Sequence, residues 1–236
     1  METLLIGHRG VAGSYPENTK VSVQAAMDLG LTWVEVDVQP SKDNILVVCH
    51  DHTINRCSNG NGRVDEHTVE ELKNLDFGGW FNKDFSGETI MTLDELLSLA
   101  AENNLHLNIE VKVDRHPAKG VAQVLAKTLA SSSMPKNSLL LSSFSHDVIR
   151  ALHQHCEGYR LGVLSEFLTS KDQRLLEEVN AYSCNLNINW VRCHQINQLQ
   201  RAGYKVMCYT VNHPKKLKHL PSLDGIFSDH PQRFMS

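Results

Sequence analysis

Two short runs alternate apolar and ionic residues with period two. In Trp33–Val38 (WVEVDV) the side chains of Val34, Val36 and Val38 share one face, and those of Glu35 and Asp37 share the other. In Leu107–Lys112 (LNIEVK) the same rule sets Leu107, Ile109 and Val111 against Asn108, Glu110 and Lys112. Each run therefore reads as a strand with one apolar and one ionic face. Such strands suit a barrel that buries aliphatic groups against outer helices and points polar groups at a central site.

The pattern extends along the chain. Strands are predicted near 4–8, 33–38, 107–112, 138–142, 160–164, 183–188, 204–210 and 224–228. Between most of them lie helical stripes: Val23, Ala26 and Met27 before Gly30; Val121, Val124, Leu125 and Leu129; Val148, Ile149 and Leu152; Leu175, Leu176 and Val179. Strand and helix alternating eight times predicts one α/β domain over 1–236, a (β/α)8 TIM barrel. A doubly wound open sheet is the competitor. The lack of a Gly-x-Gly-x-x-Gly turn after the first strand counts against its nucleotide-binding form.

One segment breaks the rhythm. Between a short strand at Ile45–Cys49 and a helix opening near Thr92 lie about forty residues, far more than an ordinary loop. Thr68 with Glu71, and Thr92 with Glu95, have capping-box spacing, and Ser58–Gly62 reads as a turn. Residues of about 51–91 are read as a small insertion over one mouth of the barrel. Its aromatics Phe77, Trp80, Phe81 and Phe85 are taken as the insertion's own small core, the alternative being a wall of the substrate pocket.

The ionic faces then acquire a chemical meaning. Neighbours on one strand face stand about 7 Å apart at Cα, and carboxylates leaning to about 5 Å repel by about 3 kcal/mol at an effective dielectric near 20. Glu110 adds to the crowding at Glu35 and Asp37, which Arg9 and Lys112 offset only in part. A divalent cation would turn the three carboxylates into ligands, and oxygen-only ligation favours Mg²⁺ or Ca²⁺ over zinc. The alternative is a buried ion-pair cluster with a structural role alone, which contributes little net stability. His8 and Arg9 end the first strand and His50 follows Ile45–Cys49, so all these groups can meet at the C-terminal mouth. A hard cation flanked by Arg9 and Lys112 suits an anionic substrate, above all a phosphate. With two histidines as general acid and base, this set describes phosphodiester cleavage.

Composition narrows the partners. A net charge of −4 offers no basic field for nucleic acid, and no apolar run approaches the length of a membrane span. Met1–Ile6 enters a strand with neither a charged leader nor an apolar signal core, so a cytoplasmic location is expected without stable membrane association. The oligomeric state is not legible. The six cysteines show no C-x-x-C spacing, and Cys49, Cys184 and Cys208 read as small core residues in a reducing compartment. Most of the thirteen histidines, His153, His155, His213 and His219 among them, read as solvated surface groups. Phe144 and Trp190 are read as core residues, the alternative being the pocket, and Asn18 as a helix start.

At this point the sequence resembles a known family. His8–Gly10, Pro16–Thr19, Glu35–Asp37, His50–Asp51 and Glu110–Lys112 occur in the order and approximate spacing of the glycerophosphodiester phosphodiesterases. The likeness spans the whole chain, including the insertion, Tyr209–Asn212 and Gly225–Pro231. It implies that Glu35, Asp37 and Glu110 are metal ligands and that His8 and His50 are the acid/base pair. It also implies that Arg9 and Lys112 hold phosphate oxygens. Glu17 is allowed a part in orienting the site, and Tyr209 a place at the substrate. The implied reaction is attack of the vicinal glycerol hydroxyl on phosphorus, giving a cyclic phosphate that water opens to glycerol 3-phosphate. Met91 and Tyr209 depart from the family's usual proline and tryptophan, and Tyr209 bears on alcohol preference.

Three other functions fit the same residues less well. Lysophospholipids could replace the small diesters, although no amphipathic basic helix is evident for membrane docking. A barrel that binds a phosphorylated metabolite without turning it over would not need both His8 and His50. A different metal-dependent barrel enzyme, such as a lyase or isomerase, remains open on fold grounds.

Overall fold

The computed structural model describes residues 3–235; Met1 and Glu2, part of the segment read for a leader, lie outside the described residues. Eight parallel strands close into a barrel: β1 (Leu4–His8), β2 (Trp33–Pro40), β4 (His106–Val111), β5 (Leu139–Ser143), β6 (Arg160–Ser165), β7 (Ser183–Asn187), β8 (Lys205–Tyr209) and β9 (Gly225–Ser228). Pairing of β1 with both β9 and β2 closes the ring. The short β3 (Leu46–Val48) runs antiparallel on β2, with Val38 opposite Val48. Strand ends fall within one or two residues of the expected limits.

Helices α1 (Lys20–Asp28), α3 (Leu93–Glu102), α4 (Ala118–Ser131), α5 (His146–His155), α6 (Ser170–Glu178) and α7 (Cys193–Arg201) cover the outside, and α2 (Val69–Lys73) belongs to the insertion. Val34, Val36, Val38, Leu107, Ile109 and Val111 face this layer and join the main core with Val23, Leu93, Leu97 and Val121. Inside the barrel, Ile6, Leu140, Met207 and Phe227 form a separate plug. The polar faces lie on the same inner side, above that plug. Both capping boxes form; at α3 the Thr92 amide donates to Glu95 Oε2 at 2.8 Å and the Glu95 amide to Thr92 Oγ1 at 3.2 Å.

The eightfold alternation is incomplete at the end of the chain. After β8 and β9 the crossover helices shrink to single 3-10 turns, Pro214–Leu217 and Pro231–Phe234. Each begins with a proline, which lacks an amide hydrogen, and neither segment carries an apolar stripe to hold a longer helix against the sheet.

The segment after β3 builds its own small core from Val47, Cys49, Ile54, Val64, Leu72, Phe77 and Ile90. Only Phe77 of its four aromatics belongs there. Trp80, Phe81 and Phe85 form a chain of edge contacts at 5.6 and 5.9 Å that ends on Tyr15 at 5.4 Å.

Candidate active site

Strand register decides which side chains share a level. His8 lies beside Glu35, Glu35 beside Asn108, and Asp37 beside Glu110. The C-terminal ends of β1, β2 and β4 thus bring four ionisable groups together. Just past β1 the chain reverses through Arg9 (φ +51°) and Gly10 (φ +85°). A Cβ on Gly10 would fall 2.3 Å from Ser22 Oγ, so only glycine fits. That hydroxyl accepts from the Val11 amide at 2.8 Å and donates to the Arg9 carbonyl at 2.9 Å, pinning the turn that aims Arg9 at the site.

Glu35, Asp37 and Glu110 converge, each offering an oxygen within 4.8 Å of the others, and all three are buried. Arg9 Nε stands 3.2 Å from Asp37 Oδ2, and Lys112 Nζ stands 2.5 Å from Glu110 Oε1 and 3.1 Å from Asp37 Oδ1. The cations do not finish the job. Glu35 Oε1 is buried with no hydrogen-bond donor, and burying such an atom unpaired is costly. An unpaired carboxylate oxygen in a cluster of three converging carboxylates fits a hard divalent cation.

The electrostatics split the carboxyls. Burial pushes the Asp37 carboxyl up, but Lys112, Arg9, His50 and the Asn18 amide outweigh it and hold Asp37 well below the ordinary range. Burial also raises Glu35 and Glu110, and the Asp37 charge raises both further. Burial pulls the His8 imidazole down, yet Glu35 and the Asp229 hydrogen bond reverse the shift, so its net direction is up. For His50 burial dominates and the direction is down.

Each histidine has Nδ1 engaged by an aspartate: His8 with Asp229 Oδ1 at 2.6 Å, His50 with Asp51 Oδ1 at 2.7 Å. An acceptor on Nδ1 fixes the tautomer and leaves Nε2 as the nitrogen available to a bound molecule. His8 and His50 line one cavity of about 170 Å³ with Arg9, Glu35, Glu110 and Lys112. Tyr209 lies on its wall. Glu17 lies behind Arg9 instead of on the cavity, accepting from Arg9 Nη1 at 2.7 Å.

A model of the glycerophosphoryl diester phosphodiesterase family matches residues 8–233. This chain belongs to that family. A glycerophosphodiester phosphodiesterase from Caldanaerobacter subterraneus subsp. tengcongensis is 31% identical over 238 residues, spanning 100% of this chain and 98% of the relative. Another, from Bacillus altitudinis, is 31% identical across 98% of this chain and 96% of its own. The solved structure of an Oleispira antarctica phosphodiesterase in complex with the product sn-glycerol-3-phosphate is similar with a TM-score of 0.91 at 30% identity. That likeness covers 97% of this chain and 94% of the other. This glycerophosphodiester phosphodiesterase is therefore an enzyme, a phosphoric diester hydrolase built as a TIM barrel.

Five residues at the mouth of this phosphodiesterase barrel have places that the sequence pattern does not give. Asn18 is no mere helix start: with φ +59° it is buried, and its Nδ2 donates to Asp37 Oδ2 at 2.9 Å. A polar residue next to the Thr19 cap hides that role, because the pattern looks like capping. Asp229 and Asn212 sit in motifs visible from the start, yet their use in holding His8 follows from barrel closure. Phe144, assigned to the core, is 45% exposed and lines the cavity, and Trp190, assigned likewise, is 54% exposed. Both follow strand ends, where loops at the mouth leave rings uncovered.

Proposed function

We propose that this phosphodiesterase hydrolyses small glycerophosphodiesters to glycerol 3-phosphate and an alcohol, with His8 and His50 as its acid/base pair. The observation that carries this is the sharing of one cavity by two imidazoles whose Nδ1 atoms are both held by aspartates, beside Arg9 and Lys112. The Oleispira antarctica relative in complex with sn-glycerol-3-phosphate supports the same product here.

The steps balance with the residues at hand. One imidazole Nε2 takes the proton of the glycerol C2 hydroxyl as that oxygen attacks phosphorus, and the other protonates the departing alkoxide. A cyclic phosphate remains. Water then attacks it with the two roles exchanged, and the C2–O–P bond breaks to leave glycerol 3-phosphate. Arg9 and Lys112 stabilise the charge that builds on the phosphoryl oxygens. Glu35, Asp37 and Glu110 would hold a divalent cation, Mg²⁺ or Ca²⁺, which when bound supplies a Lewis-acidic contact to phosphate oxygen. Six unpaired cysteines, five of them buried, support a reducing, cytoplasmic setting, and no helix among the described residues is long and apolar enough to cross a membrane.

The test is turnover of glycerophosphocholine followed by glycerol 3-phosphate and choline release. His8→Ala and His50→Ala should each lower kcat by about 10² to 10⁴ with the fold intact. Parental rates in both variants would overturn the assignment. A second reading, action on lysophospholipids, is favoured by exposed Phe144, Phe167 and Trp190 after β5, β6 and β7, where an acyl chain could lie. A lysophospholipid in the same assay separates the two.

A further inference from the structure

The insertion reaches the chemistry through one side chain. Arg56 donates from Nε to Asp51 Oδ2 at 2.7 Å and from Nη2 to Asp51 Oδ1 at 3.0 Å. The same guanidinium donates from Nη1 to Glu17 Oε2 and from Nη2 to Glu17 Oε1, each at 2.8 Å. Both carboxylates are used a second time. Asp51 Oδ1 meets His50 Nδ1 at 2.7 Å, and Glu17 Oε1 accepts from Arg9 Nη1 at 2.7 Å. One planar fork therefore stands one carboxylate away from His50 and one carboxylate away from Arg9.

The fork is held from outside the barrel. Ile54 and Cys57, on either side of Arg56, are buried against the insertion, Ile54 within its small core. The Ser58 hydroxyl closes the turn on the Ile54 carbonyl at 2.7 Å. The ring of Trp80 lies 6.0 Å from the guanidinium carbon. Arg56 itself is 44% exposed, where ion pairs contribute little to stability, so four hydrogen bonds there mean geometry more than folding energy.

We propose that Arg56 is a positioning residue for the phosphodiesterase reaction, aligning Asp51 so that His50 presents Nε2 to the cavity. The inference rests on His50 as an acid/base group. It makes the insertion a support for the chemistry as well as a cover. Lysine cannot replace Arg56, because an ammonium is a point charge and cannot engage two carboxylates in one plane.

The experiment measures kcat and KM on glycerophosphocholine for Arg56→Ala, Arg56→Lys and Asp51→Asn, alone and combined with His50→Ala, with thermal unfolding as the fold check. Arg56→Ala should lower kcat by about 10-fold to 100-fold, as a misplaced catalytic group does. KM should stay within about threefold, since Arg9 keeps Glu17 and Asp37 as partners and uniform binding is spared. Arg56→Lys should be as slow as Arg56→Ala. In the His50→Ala background Arg56→Ala should cost less than about twofold more, the non-additivity expected of two residues acting as one unit. An undiminished further loss in that background, or full activity in Arg56→Lys, overturns the inference. If Arg56→Ala fails to fold, Asp51→Asn decides: it should slow turnover without adding to His50→Ala, and a parental rate overturns the inference. A parental rate in His50→Ala would instead bring down the acid/base reading, and the role of Arg56 with it. An impaired His50→Ala beside an intact Arg56→Ala removes the Arg56 inference alone.

Discussion

His8 Nδ1 and Asp229 Oδ1 meet at 2.6 Å although 221 positions separate them in the chain. The first strand and the loop after the last strand become neighbours only because the barrel closes, and closure sets the tautomer of an imidazole at the site. Asp229 is fixed in turn by Asn212, whose Nδ2 donates to Oδ2 at 2.7 Å and whose Oδ1 accepts from the Asp229 amide at 2.9 Å. Asp229→Asn puts an amide in place of the acceptor and lets it donate to Nδ1, which places the His8 proton on Nε2. We expect kcat to fall by about 10² or more, with KM little changed. Steady-state kinetics on glycerophosphocholine check this, and a variant within twofold of the parent would detach Asp229 from catalysis.

The crowding of Glu35, Asp37 and Glu110 leads to opposite signs for one substitution. Glu35→Gln keeps an acceptor for the Arg9 amide, which lies 3.1 Å from Oε2, but removes one of the three crowded carboxyl groups. The chelated protein should hold or gain stability. The rise in melting temperature on adding excess Mg²⁺ or Ca²⁺, worth about 2.7 kcal/mol at a hundredfold excess over Kd, should shrink or vanish. Chelation should also abolish hydrolysis in the parent, and either ion should restore it. A thermal shift as large in Glu35→Gln as in the parent would place the ion elsewhere.

A cyclic intermediate needs an internal nucleophile. A diester in which the C2 hydroxyl of glycerol is replaced by hydrogen should therefore compete with glycerophosphocholine for the cavity. It should turn over about 10²-fold more slowly or worse, having lost an intramolecular attack. Competition assays read the binding, and alcohol release reads the turnover. Equal kcat for the two substrates would point to direct attack by water.

Away from the site, Asp172 makes a pH prediction. Its carboxylate accepts from the Thr169 amide at 2.7 Å, the Thr169 hydroxyl at 2.6 Å and the Ser165 hydroxyl at 3.1 Å, and meets His146 Nε2 at 2.7 Å. Burial raises its pKa, but these bonds outweigh burial and the net direction is down. A carboxyl depressed by folding stabilises the folded state in full above its unfolded pKa of about 3.9, and that contribution fades as pH falls through the folded value. Asp172→Asn should cost about 1 to 3 kcal/mol at pH 7. Urea unfolding at pH 7 and at pH 3 should show the gap narrowing in acid; a constant gap would mean that ionisation of Asp172 is not the source.

Local regularities made much of this protein legible in one dimension. Period-two alternation sorted Glu35, Asp37, Glu110 and Lys112 onto inner faces because a strand's pleat fixes the side of every second residue whatever the strand later meets. The capping spacings of Thr68 with Glu71 and Thr92 with Glu95 were equally local, and both helices start there. What a residue contacts across the barrel is not local. The register that sets His8 beside Glu35 and Asp37 beside Glu110 depends on how strands slide past one another during closure. Asn18 resembled a cap until Asp37 came within its reach, and Phe144 resembled core until the end of β5 left it at the mouth. Arg56 was one more polar residue in a long insertion until that insertion's own core set its fork between Asp51 and Glu17. The chain alone determined which side chains face inward, since that follows from backbone geometry within a few residues. The tertiary structure alone decided their partners, because hydrogen bonds act over about 3 Å and those distances exist only once distant segments have packed.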